Sequence, residues 1–220
     1  MLLGELWNFF ERRIFTIRST PGLFNQYRGR NSSVDLAAAA AIRQENLLNY
    51  FLSFSKKPPV LLLGEAPGPW GCRFSGIPFT GEKQLLAHAL PFSGKQSSRC
   101  VPRIKVRKAM PYISNSAILF WSIMLPYHPR FIVWNCVPVH PYRIGNILSV
   151  RTPTSREVLH YSGILSEILA ILKPDKIVAV GRKAQYSLEY LGVFCSYVRH
   201  PSQGGASKFK KGIKRAFAVL

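Results

Sequence analysis

Acidic residues are scarce in this sequence: 10 Asp and Glu stand against 30 Lys and Arg, a formal net charge of +20 over 220 residues. So small a body with that charge repels itself unless a polyanion neutralises it, which makes nucleic acid the first partner class to consider. The acids are also unevenly missing. None occurs between Lys83 and Arg156, a stretch that holds Lys105, Arg107 and Lys108, and none follows Glu189, where Lys208, Lys210, Lys211, Lys214 and Arg215 crowd the chain. Two acid-free zones allow a continuous positive face of the kind that grips a phosphate backbone.

Other absences narrow the class further. The four cysteines, Cys72, Cys100, Cys136 and Cys195, form no CxxC pair, which argues against zinc and leaves reduced, buried thiols. No apolar run reaches the ~18 residues that span a bilayer. The opening MLLGELWNFFERR is interrupted by Glu5 and Glu11 and lacks a small-residue cleavage site, so it does not read as a secretory signal and a cytoplasmic protein is expected. Neither GxxxxGK[ST] nor GxGxxG occurs, so a nucleoside triphosphatase or a dinucleotide enzyme has no support. No internal repeat is present. With 47% hydrophobic residues the chain can bury the core of one α/β domain, and a disordered tail protein is excluded as a class.

What is present is an alternation of two periods. Residues 36–54 carry Leu36, Ile42, Leu47, Leu48, Phe51 and Leu52 at helical spacing until Lys56, Lys57, Pro58 and Pro59 stop the pattern. Val60–Leu63 is then a short, wholly apolar run ending at Gly64, and similar runs recur at Phe131–Trp134, Ile177–Val180 and Cys195–Val198. Such runs predict strands buried on both faces of a parallel sheet. Thr154 and Glu157 have the spacing of a capping box ahead of apolar positions that continue to Leu172, and residues 183–191 suggest another helix. The expectation is a three-layer αβα domain over residues 36–220 around a mainly parallel sheet, with residues 1–35 as an N-terminal extension.

Ligands of such sheets bind beyond the carboxyl ends of the strands. The loops after Leu63, Trp134 and Val198 read GEAPGPWGCRFSGIPFTGE, NCVPVHPYR and RHPSQGG, and they should converge. The first holds a carboxylate, Glu65, between glycines and prolines that fix its direction. The last holds His200 in a Pro-Gly setting, whereas His88, His128 and His160 have no such context and His140 is open to either reading. Trp70 and Trp134 are candidate pocket aromatics, and Trp134 reads equally as core.

GEAPG at 64–68 followed by SGIPFTG at 75–81, a middle loop opening with Asn135, the TPT stretch at 152–154 and HPS at 200–202 resemble the uracil-DNA glycosylase superfamily, especially its prokaryotic branches. The resemblance covers residues 60–209 in order. It implies a four-stranded sheet and cleavage of the N-glycosidic bond between a damaged base, uracil first, and deoxyribose in single- or double-stranded DNA, as the opening step of base excision repair. By position, Glu65 matches the residue that holds the attacking water or faces the sugar cation, and His200 the residue that stabilises charge on the departing base. Phe79 matches the aromatic that stacks on the extruded base and Asn135 the amide that reads its edge. Gly68 stands where uracil-strict members carry a blocking tyrosine. Phosphate contacts are expected from Lys105, Arg107, Lys108, Ser202 and Lys208. The resemblance further implies a monomer acting at the nucleoid.

The departures also carry information. Branches with an iron-sulfur cluster have an N-terminal CxxC that this chain lacks, so no cofactor is expected. A related branch carries its acid after FTG, where this chain has Glu82, leaving two carboxylates as candidates. After HPS the family usually offers an apolar wedge, and Phe209 is the only bulky side chain there. A rival reading keeps the fold and the basic face but assigns a catalytically weak, DNA-binding or damage-sensing role, and release of free uracil separates the two.

Overall fold

The computed structural model describes residues 2–99 and 111–218. In chain order the helices are α1 (Leu2–Phe9), α2 (Ala39–Leu52), α3 (Cys72–Ser75), α4 (Glu82–Leu86), α5 (Asn115–Met124), α6 (Ser155–His160), α7 (Ser162–Leu172), α8 (Arg182–Tyr190) and α9 (Ala206–Phe217). The strands are β1 (Leu23–Phe24), β2 (Val60–Gly64), β3 (Phe131–Asn135), β4 (His140–Pro141), β5 (Lys176–Val180) and β6 (Ser196–Val198). A four-stranded sheet of order β3-β2-β5-β6 is parallel throughout, and β1 pairs with β4 in a small antiparallel ribbon. All four apolar runs of the sequence are its strands. β2 and β3 are buried along their whole length, as strands covered on both faces must be.

Alternation along the strands assigns the layers. On β3, Phe131 meets Trp121 of α5 and Phe217 of α9, with ring centroids 5.9 and 6.3 Å apart. Trp134 points the other way and packs edge-on against Phe10 at 4.5 Å. On β6, Val198 lies under Gly212 of α9, where any added Cβ would collide with it. One face therefore carries α5 and α9, and the opposite face carries the N-terminal helical segment and α8. This is the three-layer sandwich. Trp134 belongs to its core. So does Phe209, fully buried beside Phe120 at 5.8 Å, so the bulky residue after HPS is not a surface wedge.

The expected helix from 154 to 172 is two helices meeting at Tyr161. Val158, Tyr161, Leu165, Ile168 and Leu172 are all buried, so the apolar spacing runs unbroken across the junction and conceals it. The capping box is present in full, with Thr154 accepting from the Glu157 amide at 3.2 Å and Glu157 accepting from the Thr154 amide at 2.7 Å.

The segment before α2 threads into this core. Leu6, Phe9, Phe10, Ile14 and Tyr27 are buried, and the Tyr27 hydroxyl donates to the Gly76 carbonyl at 2.6 Å. Asp35 lies between two fully buried arginines: it accepts from Arg43 and takes Arg73 bidentately at 2.7 and 3.0 Å. Arg43 also reaches the Ser97 hydroxyl and the Gln26 carbonyl, each at 3.0 Å. Removed from water, these charges persist because each is paired and hydrogen-bonded.

Candidate active site

A cavity of about 940 Å³ opens beyond the carboxyl ends of the parallel strands and gathers Glu65, Gly68, Phe79, Asn135, His200 and Ser202 in its lining. The parallel ladder continues past β2 and β3 into the loops. The Cys136 amide donates to the Gly64 carbonyl at 2.9 Å and the Val137 amide to the Glu65 carbonyl at 3.0 Å. The backbone of Glu65 is thereby fixed against the loop that carries Asn135.

Glu65 reaches the first turn of α8, where Oε1 accepts from the Lys183 amide at 3.3 Å. A helix N-terminus favours a negative charge there. Burial pushes the carboxyl above its usual range, while the Lys183 amide, the Lys183 charge and the Arg199 guanidinium pull it back. Gly181 permits this approach: its φ is +98°, and a Cβ there would stand 2.5 Å from Oε1. Residues 181–183, the turn after β5 and the start of α8, are thus a fourth wall that was not foreseen from the sequence. Its signal was a glycine between an apolar run and a helix.

Phe79 and Asn135 crowd the opposite side of Gly64. A Cβ on Gly64 would lie 2.6 Å from Asn135 Oδ1 and 2.6 Å from Phe79 Cζ, so only glycine lets both approach. Phe79 stacks on Phe120 at 4.4 Å with 12° between the planes. It holds a left-handed backbone at φ +54°, strain of the kind that well-packed surroundings impose at functional sites.

His200 Nδ1 accepts from the Ser202 amide at 3.2 Å and lies 2.7 Å from the Ser202 hydroxyl. With Nδ1 occupied as an acceptor, the proton of the neutral ring belongs on Nε2. Burial, aided by the Arg199 charge, pushes His200 down to about 4, so the ring is neutral at pH 7. His140 is fully buried between the Pro67 carbonyl, 2.7 Å from Nδ1, and the Ile147 carbonyl, 2.9 Å from Nε2. Burial outweighs both acceptors and pushes it down to about 4 as well. It ties the first loop to the middle one.

Gly68 is exposed at the rim, with open space where a side chain would begin, and Trp70 stands beside it, half exposed. Lys208 is exposed on the first turn of α9. Lys105, Arg107 and Lys108 lie outside the described residues. Glu82 is fully buried away from the cavity lining and accepts from the amides of Ser97 and Ser98 and from the Ser98 hydroxyl. Arg151, also in the lining, is locked bidentately on Glu157 at 2.8 and 2.9 Å.

A parallel sheet between helical layers, with a carboxylate, an imidazole and a stacked ring around one cavity at its carboxyl end, defines an α/β protein whose cavity lies where ligands of such sheets bind. The model of the Uracil DNA glycosylase superfamily matches residues 51–219. The chain belongs to that superfamily, and with membership comes a DNA glycosylase role in base excision repair. The crystal structure of wild-type SMUG2 from Pedobacter heparinus is similar in fold, with a TM-score of 0.65 at 16% identity, covering 99% of this chain and 96% of that one. The comparison with curated proteins gives no match. Among the described residues no helix is long and apolar enough to cross a membrane.

Proposed function

We propose that this protein hydrolyses the bond between uracil and deoxyribose in DNA and frees the base without cutting the strand. The observation that carries the reading is the lining of one cavity by Glu65 and by His200, whose Nδ1 accepts from the Ser202 amide and leaves Nε2 to donate. Glycosidic cleavage builds positive charge on the sugar and negative charge on the departing base. A carboxylate near the first and a fixed donor near the second lower the barrier from both ends. Glu65 faces the sugar cation or orients the attacking water, and His200 donates to the base. Phe79 stacks on the extruded ring and Asn135 reads its edge, as flipping a base into a fitted pocket requires.

The open space at Gly68 supports tolerance of substituents on the pyrimidine ring. A pocket that merely lacks room discriminates one methyl group by about 1–3 kcal/mol, and one with room discriminates less. Activity is therefore expected on 5-substituted uracils, and Gly68→Tyr narrows the range toward uracil. The test is a panel of single- and double-stranded oligonucleotides carrying uracil, 5-hydroxymethyluracil, hypoxanthine, xanthine or a thymine mismatch, assayed for free base. Failure to release uracil from either form ends this reading.

A further inference from the structure

A second surface leaves the mouth of the cavity and follows the free edge of the sheet. Arg182, the first residue of α8, lines the cavity, and its guanidinium lies over the Tyr197 ring, 4.7 Å from the centroid. Tyr197 is on β6, the edge strand. Alternation that buries Val198 under α9 turns Tyr197 to the α8 side. From Arg182, the positions four and eight residues on are Tyr186 and Tyr190, neighbours on one helical face. Exposure is 37% at Tyr197, 38% at Tyr186 and 59% at Tyr190, and Phe194, in the turn before β6, reaches 92%. Single exposed apolar residues need no explanation. A row of tyrosines beginning at two cations of the cavity mouth, Arg182 and Arg199, does.

We propose that this edge is a track for single-stranded DNA: the strand flanking the extruded base leaves the cavity past Arg199 and Arg182 and stacks its bases on Tyr197, Tyr186 and Tyr190. Aromatic rings interleaved with arginine suit nucleobases of any sequence, because every base has a π face. In a duplex those faces are already stacked on one another, so the track selects the single strand. Arg182 to Tyr190 spans about 12 Å of helix, the length of about three stacked nucleotides. Glu189, the acid in this row, accepts from the Gln185 side-chain amide at 2.8 Å, and its negative charge places the phosphates of the proposed track on the far side of the bases. The inference rests on the proposed function only in making the strand uracil-bearing.

The test uses undamaged DNA. Fluorescence anisotropy compares a labelled single strand and its duplex on the wild type, on the triple variant Tyr186→Ala, Tyr190→Ala, Tyr197→Ala, and on the corresponding triple Phe variant. The ratio of single-strand to duplex affinity should fall at least about 10-fold in the Ala protein and stay at the wild-type value in the Phe protein, as loss and retention of base stacking require. Equal weakening toward both forms, an unchanged ratio, or a Phe protein as weak as the Ala protein each overturns the track; a surface for a protein partner would give the unchanged ratio. Because no uracil is present, a protein that never frees uracil yet shows the strand-selective loss keeps the track and loses only the activity.

Discussion

Two carboxylates bracket the first motif, and their surroundings are opposite. Glu82 is sealed in the wall behind the cavity and surrounded by donors from Ser97 and Ser98, beside the Asp35, Arg43 and Arg73 network, in which every charge has a partner. Glu65 lines the cavity with one long hydrogen bond from the Lys183 amide, and burial raises its carboxyl. Saturated groups resist change and hold a wall. An undersatisfied carboxylate retains lone pairs for a water or a cation, and this separates scaffold from chemistry more sharply than residue type does.

The largest effect is expected in the wall. Asp35→Ala leaves two buried guanidiniums without their counter-charge and should cost about 3–5 kcal/mol of stability. Urea unfolding measures it, and a loss below about 1 kcal/mol would mean that the network relaxes into water. Next comes the mouth. Glu65→Gln should slow turnover at least ~100-fold, about 3 kcal/mol of transition-state stabilisation, with an unchanged urea midpoint. Glu82→Gln should do the reverse, losing about 1–3 kcal/mol of stability while turnover per folded molecule holds. If the two variants exchange phenotypes, the contrast between them is wrong.

A smaller effect isolates positioning. Gly181→Ala puts a Cβ 2.5 Å from Glu65 Oε1 at φ +98°, so the carboxylate must shift, and turnover should fall about 10- to 100-fold. Wild-type kinetics in that variant would show that Glu65 acts from another rotamer. A separate set of effects is in pH. In the proposed reaction Glu65 works ionised, and burial raises its carboxyl, so the acid limb of kcat should lie above the ordinary carboxylate range. His200, at about 4, adds no limb near 6.5. Folded His140 and His200 bind protons less readily than in the unfolded chain, which therefore takes up protons first as pH falls from 6.5 to about 4. Stability should decline through that window. Urea midpoints across it, for the wild type and for His140→Gln, check the sign.

Much of this was legible beforehand, for identifiable reasons. The four strands were readable because burial on both faces demands continuous apolar runs, and the capping box because its two partners are three residues apart. Glu65, Phe79, Asn135 and His200 stood out through motif context and through the rule that strand carboxyl ends converge. Gly181 did not, because its importance lies in what a Cβ would strike on another loop. Phe209 could be read only as a wedge candidate, because a bulky residue after a flexible loop looks the same in sequence whether it points outward or inward. The break at Tyr161 was hidden by an apolar spacing that never lapses.

By itself the sequence determined the alternation of strands and helices, the positive charge and the three loops that converge on the cavity, since these follow from local period, composition and order. Tertiary structure alone decided which charges are spent inside. Nothing in the linear sequence marks Arg43, Arg73 and Asp35 as buried, and they become scaffold only because folding removes all three from water together, where each is tolerable only through the others. It also decided that Glu65 faces open space while Glu82 does not: the same carboxylate is wall or chemistry according to how many donors the fold brings to it.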